Sequence, residues 1–236
     1  MEKKKNGLSS DLLKWIAVVT MFIDHIGAAI VEQTDLYLFS YGKTLDLILR
    51  LIGRLAFPIY CFLLVEGFYH TRSRKKYLCN LTLFAVLSEI PFELAIFGEN
   101  VWGFHNVYWT LLLGFLVMSG VEKIREKMGT MESTKKTFAE FALAALAAVG
   151  AELLQTDYGA IGVFLIYILY QARENRLRQC IWGAVAMAYE VTAPAAFYLL
   201  YHYNGIRRQK RWKYFFYAFY PLHLLVLYWI RVRFFS

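Results

Sequence analysis

Charge is what this chain has least of. Only 19% of its residues are Asp, Glu, Lys or Arg, against roughly 25% in soluble globular domains. The remainder excludes ordinary soluble packing, being 58% hydrophobic and 18% aromatic with mean hydropathy +0.40. Cysteine is scarce too. Cys61, Cys79 and Cys180 lack metal-ligand spacing, and two of them sit inside apolar runs, so neither a disulfide framework nor a metal site is implied. The histidines, His25, His70, His105, His202 and His223, are scattered and form no HExxH pattern, so no metal is expected. Phosphate-cradling glycine loops and a Gly-x-Ser-x-Gly elbow are missing as well. The first apolar run lacks a small-x-small cleavage site and is expected to stay in the chain rather than be removed as a signal.

Long apolar runs are what the sequence does have, at 12–32, 45–70, 77–97, 107–122, 138–154, 158–171, 180–202 and 213–232. They are continuous rather than alternating, which points to helices and away from a β-barrel. A crossing takes roughly 20 apolar residues, so the fourth and sixth runs are short. The expected fold is all-α: a polytopic integral membrane helical bundle of about eight segments, forming a single transmembrane domain over 1–236. The connections are brief, so neighbouring helices should be antiparallel.

The net charge of +8 would suit nucleic acid, but its placement does not. Lys3 to Lys5, Arg72 to Lys76, Lys135 with Lys136, Arg176 with Arg178, and Arg207 to Lys213 stand at the ends of apolar runs. That pattern orients membrane helices and attracts anionic headgroups. The expected partner is therefore the lipid bilayer, and no nucleic acid. Lys3 to Lys5 argue for a multi-pass plasma (inner) membrane protein with a cytoplasmic N-terminus. The loop Arg207 to Lys213 breaks this pattern if every run crosses once. Either 180–202, interrupted at Thr192-Ala-Pro194, or the short sixth run is then re-entrant or broken, as is tolerated where backbone lines a cavity.

Within the first run lie Asp24 and His25. An Asp at that depth costs about 2.5–3.5 kcal/mol on insertion scales, and such groups face a bundle interior or a wet cavity. In the second run Arg50 and Arg54 share a helix face, as do Glu66 and His70, with Pro58 between them as a kink. Arg50 reads as snorkelling to the headgroups, whereas Arg54 and Glu66 read as functional. The third run brings Glu89 and Glu93 onto one face beside Pro91; Asn106 and Asp157 could each cap the helix that follows them. His223 stands just beyond Pro221 in the last run. Buried acids, bases and arginines of this kind suit acyl transfer, with His25 as general base and Asp24 fixing its tautomer. They also suit a proton-coupled or anion transporter using Asp24, His25, Glu66, Glu89 and Arg54, or a scaffold in which charges bridge helices.

Ordered blocks from about residue 10 to 230 resemble the TraX family. They are Met21-Phe-Ile-Asp24-His25-Ile-Gly, Gly53-Arg54-Leu-Ala-Phe-Pro58, Leu63-Leu-Val-Glu66-Gly-Phe with His70-Thr-Arg72, Ser88-Glu-Ile-Pro-Phe92, Asn106-Val-Tyr-Trp-Thr110, Asp157-Tyr-Gly159 and Tyr220-Pro-Leu-His223. TraX is known as an inner-membrane acetylase of the conjugative pilin N-terminus, and the family is similar, more distantly, to transmembrane acyltransferases. The resemblance implies an acetyl-CoA-dependent acyltransferase acting on a membrane-presented or extracytoplasmic amine, such as a peptide N-terminus, or a hydroxyl. By the same carry-over His25 and Asp24 are the catalytic pair. Arg54, Glu66, Thr71, Arg72, Glu89, Asn106 and His223 are the candidates for holding donor or acceptor. Direct transfer and an acetyl-histidine enzyme both remain open.

Overall fold

The computed structural model describes residues 7–99, 103–129, 133–206 and 213–235. All of its named elements are helices: α1 (Ser10–Ile26), α2 (Ser40–Gly53), α3 (Ala56–His70), α4 (Arg74–Phe97), α5 (Val107–Lys127), α6 (Ser133–Leu153), α7 (Gly159–Gln171), α8 (Arg176–Ala186), α9 (Ala195–Tyr201) and α10 (Lys213–Phe234). Short polar side chains start several of them. Ser9, Ser73, Asn106 and Asn175 each accept a hydrogen bond from a backbone N–H in the first turn of the helix that follows. Gly98, at φ +83°, closes α4 in the left-handed conformation that glycine adopts without steric cost.

Among the described residues five helical stretches are long and apolar enough to cross a membrane: Ser10–Val31, Ser40–His70, Arg74–Phe97, Val107–Lys127 and Tyr214–Phe234. The expected count of about eight is not reached by this measure, for a different reason in each remaining run. α6 has the length, but Lys135, Lys136, Glu140 and Glu152 dilute its apolar content. α7 has only 13 residues, and Val163, Leu165, Ile166 and Leu169 are completely buried, so protein rather than lipid surrounds it. The run 180–202 folds back on itself as α8 and α9. Lipid-facing stripes are plain elsewhere. Leu83, Val86, Leu87 and Ile90 on α4, and Leu222, Leu225, Val226 and Trp229 on α10, are exposed at helical spacing.

Pro58 shapes the second stretch. A proline offers no N–H to the carbonyl four residues earlier, and its ring crowds that carbonyl. The helix accordingly breaks at Arg54 and Leu55, between α2 and α3. Leu55 N–H turns to Ile52 O at 3.4 Å, and the Leu51 carbonyl accepts the hydroxyl of Thr192 instead. Pro221 acts similarly in α10, where the freed carbonyl of Tyr217 accepts the Tyr108 hydroxyl at 3.1 Å.

Thr192 belongs to the turn between α8 and α9, whose two ends lie together. The Arg176 guanidinium, at the start of α8, sits 5.2 Å over the ring of Tyr203, just past α9. Residues beyond α9 then pair beside the chain's beginning, Leu8 N–H donating to His202 O at 2.9 Å and Asn204 N–H to Leu8 O at 3.0 Å. The hairpin therefore enters and leaves at the α1 N-terminal end of the bundle. Of the two sequence alternatives, it is 180–202 that folds back as a hairpin. Lys3 to Lys5 and the side chains of Arg207 to Lys213 lie outside the described residues, but the neighbours of that loop do not. Ile206 O accepts from Ser10 N–H at 3.0 Å, and Phe215 packs 5.5 Å from Trp15. In a variant without native cysteines, probes at Arg178→Cys and His202→Cys should label from the same side of the membrane, and a probe at Glu99→Cys from the other. Labelling of 178 and 202 from opposite sides would overturn the hairpin.

Candidate functional site

Asp24 and His25 are neighbours on α1, so their side chains leave the helix about 100° apart and cannot serve one another. His25 turns to α10. Its Nδ1 lies 2.6 Å from Nε2 of His223, the two rings edge to edge and nearly coplanar with centres 4.9 Å apart. His223 Nδ1 lies 2.7 Å from the carbonyl oxygen of Phe219. A carbonyl only accepts, so His223 Nδ1 carries the proton there. Two N–H groups cannot face each other at hydrogen-bond distance. His223 Nε2 is therefore the acceptor of the His25 Nδ1–H, and the lone pair of His25 is on Nε2. Both rings are buried, and Phe22 packs edge-on against His223 at 6.0 Å.

Asp24 turns to α2. Its Oδ2 accepts from Arg50 Nη1 at 2.6 Å, and Arg50 Nε also lies 3.4 Å from Glu32. Its Oδ1 is buried with no partner among the described residues and packs on the backbone of Gly53, where a Cβ would meet the carboxylate. Asp46 of α2 repeats the contact in reverse, its Oδ1 lying 2.8 Å from where a Cβ of Gly27 would stand. The two antiparallel helices thus lock by two carboxylates on two glycines, with Arg50 between. The expectation that Asp24 fixes the His25 tautomer gives way here: His223 does so. Arg50, read as snorkelling, is instead the buried partner of Asp24.

These groups border a cavity of about 530 Å³ at the end of the bundle remote from Ser10. Its polar wall carries Asp24, His25, Glu32, Arg50, Arg54, His105, Glu152 and Asp157; its apolar wall carries Phe92, Ile96, Phe97 and Phe104. Arg54 reaches Glu190 of the α8–α9 turn at 2.9 Å and also bonds the Tyr158 hydroxyl. The hairpin tip therefore supports the cavity wall from behind. The turn before α7 holds Gln155 at φ +47° and Tyr158 at φ +64°, left-handed backbone that costs a non-glycine residue about 1–2 kcal/mol. It persists because much holds it. Phe57 stacks on Tyr158 with ring centres 3.6 Å apart, His105 and Asp157 exchange backbone bonds with this loop, and Thr110 bonds the Asp157 carbonyl. Such strain gathers at functional sites.

Of the residues singled out in the sequence, His25, Asp24, Arg54 and His223 come together. Glu89 and Asn106 stand one layer back. Asn106 caps α5 and donates to Glu89 Oε1 at 2.6 Å, while Glu89 Oε2 holds His105 of the cavity wall at 3.3 Å. Glu66, Thr71 and Arg72 belong to the other end. Glu66 lies 3.6 Å from Arg176, Thr71 bonds Ser73 before α4, and Arg72 is exposed. Those three lie away from this cavity, since about 18 Å of α3 separates Glu66 from Arg54 at 1.5 Å per residue. Sequence reasoning missed Arg231. This buried cation has no carboxylate partner among the described residues and is spent on the carbonyls of Ala29, Leu94 and Ala95 at 3.0, 2.7 and 2.8 Å. Among the described residues no group of three or more metal-ligating side chains forms.

The fold and cavity define a helical integral membrane protein with a buried, hydrogen-bonded histidine pair. A family model for the TraX protein matches residues 9–231, and the chain belongs to the TraX family. It is 26% identical to a probable fimbrial assembly protein FimC, serogroup H1, of Dichelobacter nodosus, over 91% of this chain and 92% of that one. A shorter likeness, 44% over 25% of this chain and 19% of the other, is to an uncharacterized protein of Rickettsia prowazekii. No solved structure matches.

The glycine contact is directly testable. Gly53→Ala should destabilise the detergent-solubilised protein by about 1–3 kcal/mol, the range for overpacking a filled site. The loss should shrink when Asp24→Ala is combined with it. A Gly53→Ala protein that melts like the wild type would contradict the contact.

Proposed function

We propose that the protein is an acyltransferase that moves an acetyl group from acetyl-CoA to an amine, and that the amine is the N-terminus of a pilin-like peptide. The observation that carries this reading is the chain from Phe219 O through His223 to His25, which leaves a bare, oriented Nε2 on a histidine of the cavity wall. Membership in TraX, a family linked to pilin acetylation, and the fimbrial assembly relative support the substrate.

The chemistry follows from that lone pair. As the acceptor nitrogen bonds to the thioester carbon, His25 Nε2 takes its proton. His25 is then a cation, and its Nδ1–H bond to His223 Nε2 becomes charge-assisted. When the carbon–sulfur bond breaks, the departing thiolate takes the proton back, giving an amide and a free thiol. Asp24 is a positioning residue in this scheme, holding Arg50 in the wall. The carboxylates of Asp24, Glu32, Glu152 and Asp157 outnumber Arg50 and Arg54 at the cavity, a field that draws a protonated amine inward; it attacks only after losing its extra proton to water, and His25 then takes the second.

The cavity does not fit the nucleotide part of coenzyme A. Its two arginines are already bound to Asp24, Glu32 and Glu190, and carboxylates surround them. The exposed cations Arg72, Lys75, Lys76 and Arg178 gather at the other end. That bias is what the positive-inside rule expects of the cytoplasmic side. We place the N-terminus in the cytoplasm and the cavity toward the outer face of the plasma membrane. His25 stands about 22 Å along α1 from Ser10, at 1.5 Å per residue. The donor's nucleotide would then dock at the cytoplasmic end, with its thioester arm directed toward His25.

Purified protein should release thiol from acetyl-CoA when a peptide amine is supplied. His25→Ala should lower that turnover about 10²- to 10⁴-fold, the usual contribution of a general base. His223→Ala should lower it less, since the base survives but loses its orientation. Thiol release indifferent to His25, or proton-driven uptake by proteoliposomes without acyl transfer, would sink the proposal in favour of transport.

A further inference from the structure

The carboxylates of the cavity and its row of phenyl rings come from different elements. Asp24, Glu32, Glu152 and Asp157 belong to α1, the segment after it, the end of α6 and the turn before α7. Phe92, Phe97 and Phe104 belong to the last turns of α4 and the loop after it. The three rings make one continuous lane. Phe92 stands edge-on to Phe97 with ring centres 5.9 Å apart, and Phe97 lies 5.3 Å from Phe104 at a tilt of 36°. Exposure rises along it from 7% at Phe92 to 42% at Phe104, so the lane runs from the interior of the cavity to its mouth.

Backbone contacts hold the lane in place. Gly98, in its left-handed conformation, ends α4 directly after Phe97. Arg231 of α10 donates to the Leu94 and Ala95 carbonyls at 2.7 and 2.8 Å, and to the Ala29 carbonyl at 3.0 Å. One guanidinium thereby ties the end of α4 to the segment between His25 and Glu32, and with it the rings to the charges. A phenyl ring offers neither a hydrogen-bond donor nor a good acceptor. A polar group laid on the lane would lose its water without replacement, whereas an apolar one would gain by burial.

At a peptide N-terminus the amine and the first side chain branch from one Cα. An amine drawn in by the carboxylates and brought to His25 carries that side chain into the same cavity. The space, about 530 Å³, is within the usual range for a bound small ligand. We propose that the acceptor is a peptide whose first residue is large and apolar, and that Phe97 and Phe104 select it by packing on that side chain. This rests on the acyl-transfer reading above. The two rings determine specificity and take no part in moving the proton or the acetyl group. A bare alkyl chain would also fit the lane, but it would leave the facing carboxylates without a cation to answer them.

The test uses the full-length protein in detergent, acetyl-CoA, and peptides identical except for a first residue of Phe, Leu, Ala, Ser or Asp. kcat/KM should be higher for Phe and Leu than for Ala, Ser and Asp by about 10- to 200-fold, the range an apolar pocket gives for small differences in side chain. Phe97→Ala and Phe104→Ala should each shrink the Phe-over-Ala ratio by about 10-fold. A ratio cancels any loss of folded protein, which would lower both peptides together. Phe138→Ala, which removes an exposed ring of α6 away from the cavity, should keep the wild-type ratio. Equal rates for all first residues, a preference for Ser or Asp, or a ratio unmoved in both cavity variants would overturn the assignment and leave acyl transfer standing. A long-chain alkylamine acetylated faster than every peptide would give the lane to an alkyl chain and overturn it too. Wild-type protein inert toward every acceptor would remove the acyl-transfer reading and this selection with it.

Discussion

A carboxylate inside a bilayer must be answered by the protein, because no water is there to do it, and the Asp24–Arg50 pair is that answer. Much of the cavity end of the bundle follows from it. The 2.6 Å contact forms only because α1 and α2 approach closely, and they approach closely because Gly53 and Gly27 leave room for the carboxylates of Asp24 and Asp46. Removing one partner would leave a poorly solvated charge, which costs far more than the pair itself contributes. With Asp24 so engaged, the next residue on the helix is turned away toward α10. The ion pair thereby sets the direction in which His25 looks.

The second organising device is a proline. Pro58 breaks the helix at Arg54 and Leu55, and the break leaves Leu51 with a carbonyl to satisfy. The α8–α9 turn satisfies it through Thr192 and, two residues earlier, brings Glu190 to Arg54. The break before Pro58 thus gives the tip of the hairpin two partners inside the bundle. It also explains how a chain rich in basic loops keeps those loops at one end. Backbone that is not helical at this depth is tolerated because it is buried in protein at the edge of a cavity.

Much of this was legible in the residues. The apolar runs gave the helical membrane class, and the intramembrane Asp24, His25 and Arg54 marked the cavity, since charge at that depth is rarely idle. The basic loop after residue 206 and the Thr192-Ala-Pro194 interruption together signalled a segment that does not cross. Partner choice was not legible. Sequence adjacency suggested Asp24 for His25, but adjacent residues on a helix diverge, and the true partner lies 198 positions away. Glu66 shares a helix with neither arginine of the cavity's end, yet its span in the sequence seemed continuous with theirs. Arg50 looked like a headgroup ligand because its carboxylate sits on another helix.

The central claim is that the His25 imidazole is held with its lone pair on Nε2, through His223 and the Phe219 carbonyl. Nitrogen-15 NMR of histidine-labelled protein in detergent at neutral pH reads this directly. The account predicts that His25 and His223, assigned by single substitution to glutamine, are both neutral with the proton on Nδ1. That is the less common tautomer in water, so its presence would be informative. A proton on Nε2 of His25, or a ring exchanging freely between tautomers, would contradict the account.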